Sequence, residues 1–134
     1  MNIPGRETAN KEDIGGLKLR NQLEQKKDEL VILAEGLWDE TWGHGKSEMK
    51  NAQYRNLLNA ALSTQSIEEV VNFIKYQIGR HNREWGKFGP LLITRIQDQI
   101  QTKVKGNNEF KMASLRLLLG YLIRYNEFKS QGMQ

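Results

Sequence analysis

Apolar residues recur along this chain at intervals of three and four, and no stretch alternates at the period of two that a half-buried strand needs. The first dozen residues hold Pro4, Gly5 and many polar groups with no period, which predicts a flexible N-terminal tail over residues 1–14. Gly15-Gly16 punctuates the start of the ordered region. A first helix is predicted from about Leu17 to Thr41, with Leu19, Leu23, Leu30, Leu33, Ala34, Leu37 and Trp38 along one stripe. The segment Gly43 to Lys46 breaks it.

Ser47 is the predicted N-cap of a second helix running to about Leu62, with Tyr54, Leu57, Leu58 and Ala61 inward. Ser63 to Gln65 makes a turn. Ser66 and Glu69 then have capping-box spacing ahead of an apolar run. The third helix should bury Ile67, Val70, Val71, Ile74 and Ile78, and Gly79 stands near its end. The segment Arg83 to Gly89 reads as a loop carrying Trp85 and Phe88. Pro90 suits the first position of a fourth helix, which ends near Lys105 and buries Leu92, Ile96, Ile100 and Val104. Gly106 follows as a C-terminal cap. Asn107 or Asn108 caps a fifth helix to about Lys129, with Phe110, Ala113, Leu117, Tyr121, Leu122, Tyr125 and Phe128 inward. The expectation is one all-α domain, a compact bundle of about five helices over residues 15–130, with residues 131–134 frayed.

Length changes this picture little, since 134 residues suit one domain with a modest core. Charge changes it more. Residues 1–45 carry six Lys/Arg against nine Asp/Glu, whereas residues 46–134 carry fourteen against seven. A basic helical body behind an acidic leader points to a polyanionic partner, although a basic solvated surface has the same composition. No apolar run approaches the roughly 20 residues of a membrane span. The N-terminal residues have no apolar h-region, so no secretory signal is expected. The chain has no cysteine, which excludes a disulfide scaffold, a thiolate metal site and a cysteine nucleophile, and fits a cytoplasmic location.

An enzyme needs converging groups, and none assemble from this sequence. His44 lies in a Gly-rich turn and His81 follows a helix end; neither has metal-ligand spacing with another His or a carboxylate. Asp39-Glu40 and Glu68-Glu69 are adjacent pairs whose members point in different directions on a helix. A helix-start dipole role accounts for Glu68-Glu69. No phosphate-binding Gly-rich loop and no G-x-S-x-G is present. The expectation is a non-enzymatic chain with no metal and no cofactor.

The basic residues carry more. Lys50 and Arg55 lie on the second helix; Lys75 and Arg80 end the third, followed by Arg83 and Lys87. Arg95 is on the fourth, and Lys111, Arg116 and Arg124 are on the fifth. A spacing of five turns a helix by about 500°, so each of the pairs Lys50/Arg55 and Lys75/Arg80 stays within about 140° of one direction. Cations along stacked helices suit a phosphate backbone, and such contacts position a nucleic acid without reading its sequence. Each residue alone is better explained as a solvated charge or surface pair, and only the set together points to nucleic acid. Tyr54, Tyr76, Tyr121 and Tyr125 stand beside aliphatics at helical spacing, which suits core rings with outward hydroxyls. Trp85 and Phe88 are the candidates for exposed aromatics, or else staple their loop to the core.

Three segments go further together: NAQYRNLLNAA (Asn51 to Ala61), VVNFIKYQIGR (Val70 to Arg80) and LLLGYLIRYNEF (Leu117 to Phe128). Their order and hydrophobic pattern resemble the small all-helical subunit of type III (Csm-type) CRISPR–Cas effector complexes, over roughly the last two-thirds of the chain. That family has a Gln-x-Arg early in one helix, a Tyr-x-x-Gly-Arg end to the next and an aliphatic–Tyr–basic last helix. Arg55 and Arg80 match its arginines, and Lys75 and Arg124 sit beside matching hydrophobic positions. Gly120 departs from the acidic residue the family often has before its last aliphatic run. The resemblance implies a non-catalytic subunit, stacked in several copies along a filament of larger subunits and lining the groove that holds guide RNA and target RNA. The residues expected to contact nucleic acid are Lys50, Arg55, Lys75, Arg80, Arg83, Lys87 and Arg124. The alternative is a helical adaptor whose charge is incidental. A helix-turn-helix DNA reader is disfavoured because the third helix opens Ile67-Glu68-Glu69, which repels phosphate.

Overall fold

The apolar spacing resolves into six α-helices and one π-helical segment in the computed structural model, which describes the backbone of residues 4–132 and the side chains of residues 15–131. The helices are α1 (Pro4–Trp42), α2 (Asn51–Leu62), α3 (Ile67–Arg80), α4 (Asn82–Trp85), α5 (Phe88–Arg95) and α6 (Asn108–Gly132), with the π segment Ile96–Thr102 continuing α5. No strand occurs among the described residues, and the fold is an all-α bundle. Helical backbone begins earlier than the sequence suggests, running from Pro4 through Gly15 and Gly16. Neither glycine has a positive φ, and the space where a Cβ would stand is open at both, so they weaken the helix without ending it. Residues 1–3 of the expected tail and residues 133–134 of the expected frayed end lie outside the described residues.

α1 and α6 run parallel. Leu19 and Phe110 line one hollow near their starts, while Trp38 Nε1 donates to Asn126 Oδ1 at 3.0 Å near their ends. α2 starts beside those ends: Trp42 Nε1 donates to the Tyr54 hydroxyl at 3.0 Å, and Asn126 Nδ2 donates to Asn51 Oδ1. α3 returns against α2, burying Ile67, Val70, Val71 and Ile74. α5 runs back along α1, with Arg95 paired to Glu40 at 2.6 Å and Lys103, just past the π segment, paired to Glu29 at 3.3 Å. The wide π turns leave carbonyls without their usual α-helical partners. Thr102 Oγ1 donates to the Gln97 carbonyl at 2.9 Å, and Lys111 Nζ to that of Gln101 at 2.8 Å.

The caps are partly those expected. Ser66 Oγ accepts from the Glu69 amide at 3.1 Å, but the Glu69 carboxylate takes the Thr64 hydroxyl, and Thr64 Oγ1 in turn accepts from the Ser66 amide. Asn107 Oδ1 caps α6 through the Phe110 amide. Gly106 is not the expected C-terminal cap: the preceding segment ends at Thr102 with Lys103 as its C-cap, and Gly106, at φ +145°, lies in the turn that leads into α6. Ser47 is not an N-cap. Its hydroxyl closes a turn on Met49 and meets the Tyr54 hydroxyl at 3.0 Å, and α2 begins at Asn51 with Gln53 Oε1 accepting from the Lys50 amide. Pro90 is the third residue of α5, because Phe88 and Gly89 are already helical.

The core follows the predicted stripes of the first four helices, with Leu19, Leu23, Leu33, Leu58 and Ile78 only half-buried at its margin, and differs more on the last. α6 buries Met112, Leu115, Leu118, Leu119 and Leu122, while Ala113, Leu117 and Tyr121 are half-buried and Phe128 is exposed. The helix carries two apolar stripes, and periodicity cannot say which one faces inward. Trp85 and Phe88 are buried, so the segment Arg83 to Gly89 is stapled to the core. Trp85 packs edge-on against Phe73, and Phe88 against Tyr54.

Candidate nucleic-acid interface

Burial divides the basic residues into two groups. Lys50, Arg55, Lys75, Arg80, Arg83, Lys87 and Arg124 are all exposed. Among the described residues Arg83 is the one of these seven within ion-pair reach of a carboxylate, at 4.0 Å from Glu48 with 86% of its side chain exposed. Arg95, Lys111 and Arg116 are half-buried and engaged. Arg116 Nε donates to the Ala61 carbonyl at 2.9 Å and its Nη2 to that of Thr64 at 2.8 Å, closing the end of α2. A guanidinium suits that site because its fork offers several donors in fixed directions.

Chain reversal gathers most of the exposed group at one end of the bundle. Lys50 precedes the first turn of α2 and Arg55 lies about 7.5 Å further along it. Lys75 and Arg80 lie in the last two turns of α3, which returns to that end. Arg83 is in α4, one element on, and its approach to Glu48 joins α4 to the segment that leads into α2. Lys87 immediately precedes α5, whose Phe88 ring meets Tyr54 at 5.4 Å between centroids. Arg124 stands apart. It lies over the Tyr121 ring, 5.9 Å from its centroid, and lines a hollow with Val31, Glu35 and Phe128 on the α1 side of α6.

The same end holds two lysines outside the expected set. Lys46 and Lys129 join Lys50 around a hollow of about 340 Å³ whose walls include Trp38, Asn51 and Asn126, and no carboxylate lines it. Lys129 Nζ lies 5.4 Å from the centre of the Trp38 ring and 5.5 Å from that of Tyr125, with Asp39 at 3.8 Å. The floor is fixed by a relay. Trp38 donates to Asn126, Asn126 to Asn51, and Asn51 to Glu127. Lys46 sits in a helix-breaking segment and Lys129 in a C-terminal turn. The signal that could have found them is their basic character alone, because their neighbours come from distant parts of the chain.

The tyrosines divide as well. Tyr54 is buried, and burial pushes its hydroxyl above the usual tyrosine range. Tyr121 and Tyr125 are half-buried. Burial and the neighbouring Asp39 carboxylate, which accepts its hydrogen bond at 2.9 Å, push Tyr125 up to about 12. Tyr76 is the exposed exception among rings expected mostly in the core. His44 and His81 are exposed, and no group of three or more His, Asp or Glu among the described residues could hold a metal ion. No helix among them is long and apolar enough to cross a membrane.

These features define an all-α bundle with a cation-rich end. Compared with known proteins, the chain matches no family model, no curated protein and no solved structure.

Proposed function

We propose that this chain is a non-catalytic RNA-contacting subunit, the small subunit of a type III CRISPR RNA-guided interference complex acting in the cytoplasm. The observation that carries the nucleic-acid part is the gathering of Lys50, Arg55, Lys75, Arg80, Arg83 and Lys87, all exposed, at one end of the bundle. The resemblance of three segments to that family carries the rest. The mechanism is electrostatic. Exposed cations neutralise phosphates of a guide–target RNA duplex and release counterions, while a rigid helical body braces the strand. Such contacts fix position, and base pairing supplies specificity, as in other RNA-guided systems. Copies of the chain stack along a filament of larger subunits, and cleavage belongs to other subunits.

The test is a titration of the protein against a guide–target RNA duplex at two salt concentrations. Binding should weaken steeply with salt, and an Arg55→Ala/Arg80→Ala variant that stays folded should lower the log–log slope by about 0.7 to 0.9 per lost contact. A salt-independent or absent interaction would favour a second reading, a helical adaptor. One feature favours that reading specifically: a hollow of about 510 Å³ between α1, α2 and α6, in which Leu23, Leu58, Leu62, Ala113 and Leu117 stand among the charged Arg20, Glu24, Lys27 and Arg116, with Leu62 58% exposed.

A further inference from the structure

Tyr76 is the exposed member of the four tyrosines, at 55%. It lies in the penultimate turn of α3, and Arg80, one turn on, donates from Nη1 to its hydroxyl at 3.0 Å. That bond holds the ring at its edge. Among the described residues no aromatic ring stacks on Tyr76 and no cation lies over it, whereas Tyr121 and Tyr125 each carry a cation over the ring. Gly79 follows three residues later on the same side of the helix, and the space where its Cβ would stand is open. An exposed, apolar, flat surface is thus held in place by an arginine that has no carboxylate partner among the described residues. Lys75 precedes it in sequence and Arg83 follows in α4, both exposed.

We propose that Tyr76 is a stacking platform for one unpaired nucleobase, with Lys75, Arg80 and Arg83 taking the phosphates on either side. The proposal rests on the nucleic-acid reading above and names a single-stranded segment as the ligand. Every base has a π face, so a tyrosine platform among cations binds single strands with little sequence preference. The charge pattern sets the direction of the strand. Glu68 and Glu69 occupy the first turn of α3, two turns from Tyr76, so a strand stacked there leaves toward the C-terminal end of α3, where Arg80 has no carboxylate partner among the described residues and Arg83 has Glu48 at 4.0 Å. Paired bases offer no free face in mid-helix, so the platform discriminates single strand from blunt duplex, which the phosphate contacts do not.

The test uses the whole chain, with a short single-stranded RNA containing 2-aminopurine and, in parallel, a blunt RNA duplex, each at two salt concentrations. Stacking predicts quenching of the 2-aminopurine by the parent protein. Tyr76→Ala should weaken single-strand binding about 5- to 100-fold with the salt slope unchanged. Tyr76→Phe should keep most of the affinity and the quenching, and Arg80→Ala should lower the salt slope. Duplex binding should not change in Tyr76→Ala. If Tyr76→Ala binds the single strand as the parent does while Arg80→Ala binds less, the platform is overturned and the phosphate contacts stand. If Tyr76→Phe loses as much as Tyr76→Ala, the hydroxyl serves to position Arg80, and stacking is overturned. If the parent binds neither RNA, both readings fall.

Discussion

Where α2 turns into α3, Arg116 gives its donors to the Ala61 and Thr64 carbonyls, and Asn108 Nδ2 gives one to that of Gln65. At the other end of α2, Lys50, Arg55 and their neighbours across α3 and α4 stand in solvent with almost no partner in the protein. The residue types are the same and the surroundings differ. An α-helix leaves its last carbonyls unpaired, and a half-buried arginine beside them is drawn into capping. The free end instead begins with the α2 amides, which repel a cation, and it closes α3 through the His81 amide on the Gln77 carbonyl. No side-chain cation caps that end, and these cations stay in solvent. The contrast is one of surroundings: Arg116 meets carbonyls at the end of α2, and Lys50 and Arg55 meet none.

The sharpest way to break the contrast is to remove the engaged arginine. Arg116→Ala should cost about 2–4 kcal/mol in urea unfolding, since two charge-assisted hydrogen bonds to half-buried carbonyls are lost. The RNA salt slope of the protein that stays folded should not change. Next is the packing beneath the free end. A Cβ on Gly89 would stand 2.5 Å from Ile78 Cγ1, so Gly89→Ala should force α3 and α5 apart at a cost of about 1–3 kcal/mol, measured the same way. High pH should weaken the Tyr125–Asp39 tie between α1 and α6. The fold holds this hydroxyl up at about 12, above its ordinary value of 10.0, so the unfolded chain loses the proton first. Its contribution is therefore full below about pH 10 and lost as pH rises through about 12. Urea midpoints across that window should fall less steeply in Tyr125→Phe. The smallest stability effect belongs to the free cations. Arg55→Ala/Arg80→Ala should shift Tm by no more than about 2 °C, while reducing RNA affinity at low salt. A large loss of Tm there would show that these residues are as engaged as Arg116.

Helix positions were legible wherever one stripe was apolar and its opposite polar. Val70, Val71 and Ile74 on α3, and Leu92, Ile96 and Ile100 along α5 and its π continuation, are buried as the period implies. The last helix was not legible in this way. Leu115, Leu118 and Leu119 compete with Leu117, Tyr121 and Phe128, and burial went to the first set, while Leu117 lines an open hollow between α1, α2 and α6 and Phe128 stands in solvent. Local chemistry was legible at Ser66 and Asn107, whose partners lie within a few residues, and not at Gly106, because the preceding helical segment ends at Thr102. It misled at Ser47, where the Tyr54 hydroxyl won the serine from the backbone. Of the candidate interface, the basic residues themselves were readable, and the approach of Arg83 to Glu48, two residues before Lys50, was not.

By itself the sequence determined an all-α chain, the approximate spans of α3 and α6 and the basic bias of its second part. These follow from periodicity, composition and capping, which act over a few residues. The tertiary structure decided which stripe of α6 is core, which arginines are bound to carbonyls, that Trp85 and Phe88 are buried and Tyr76 is not, and that the cations of α2, α3 and α4 share one end. Those outcomes depend on contacts between residues far apart in the chain, and a helical period carries no information about which distant surface it will meet.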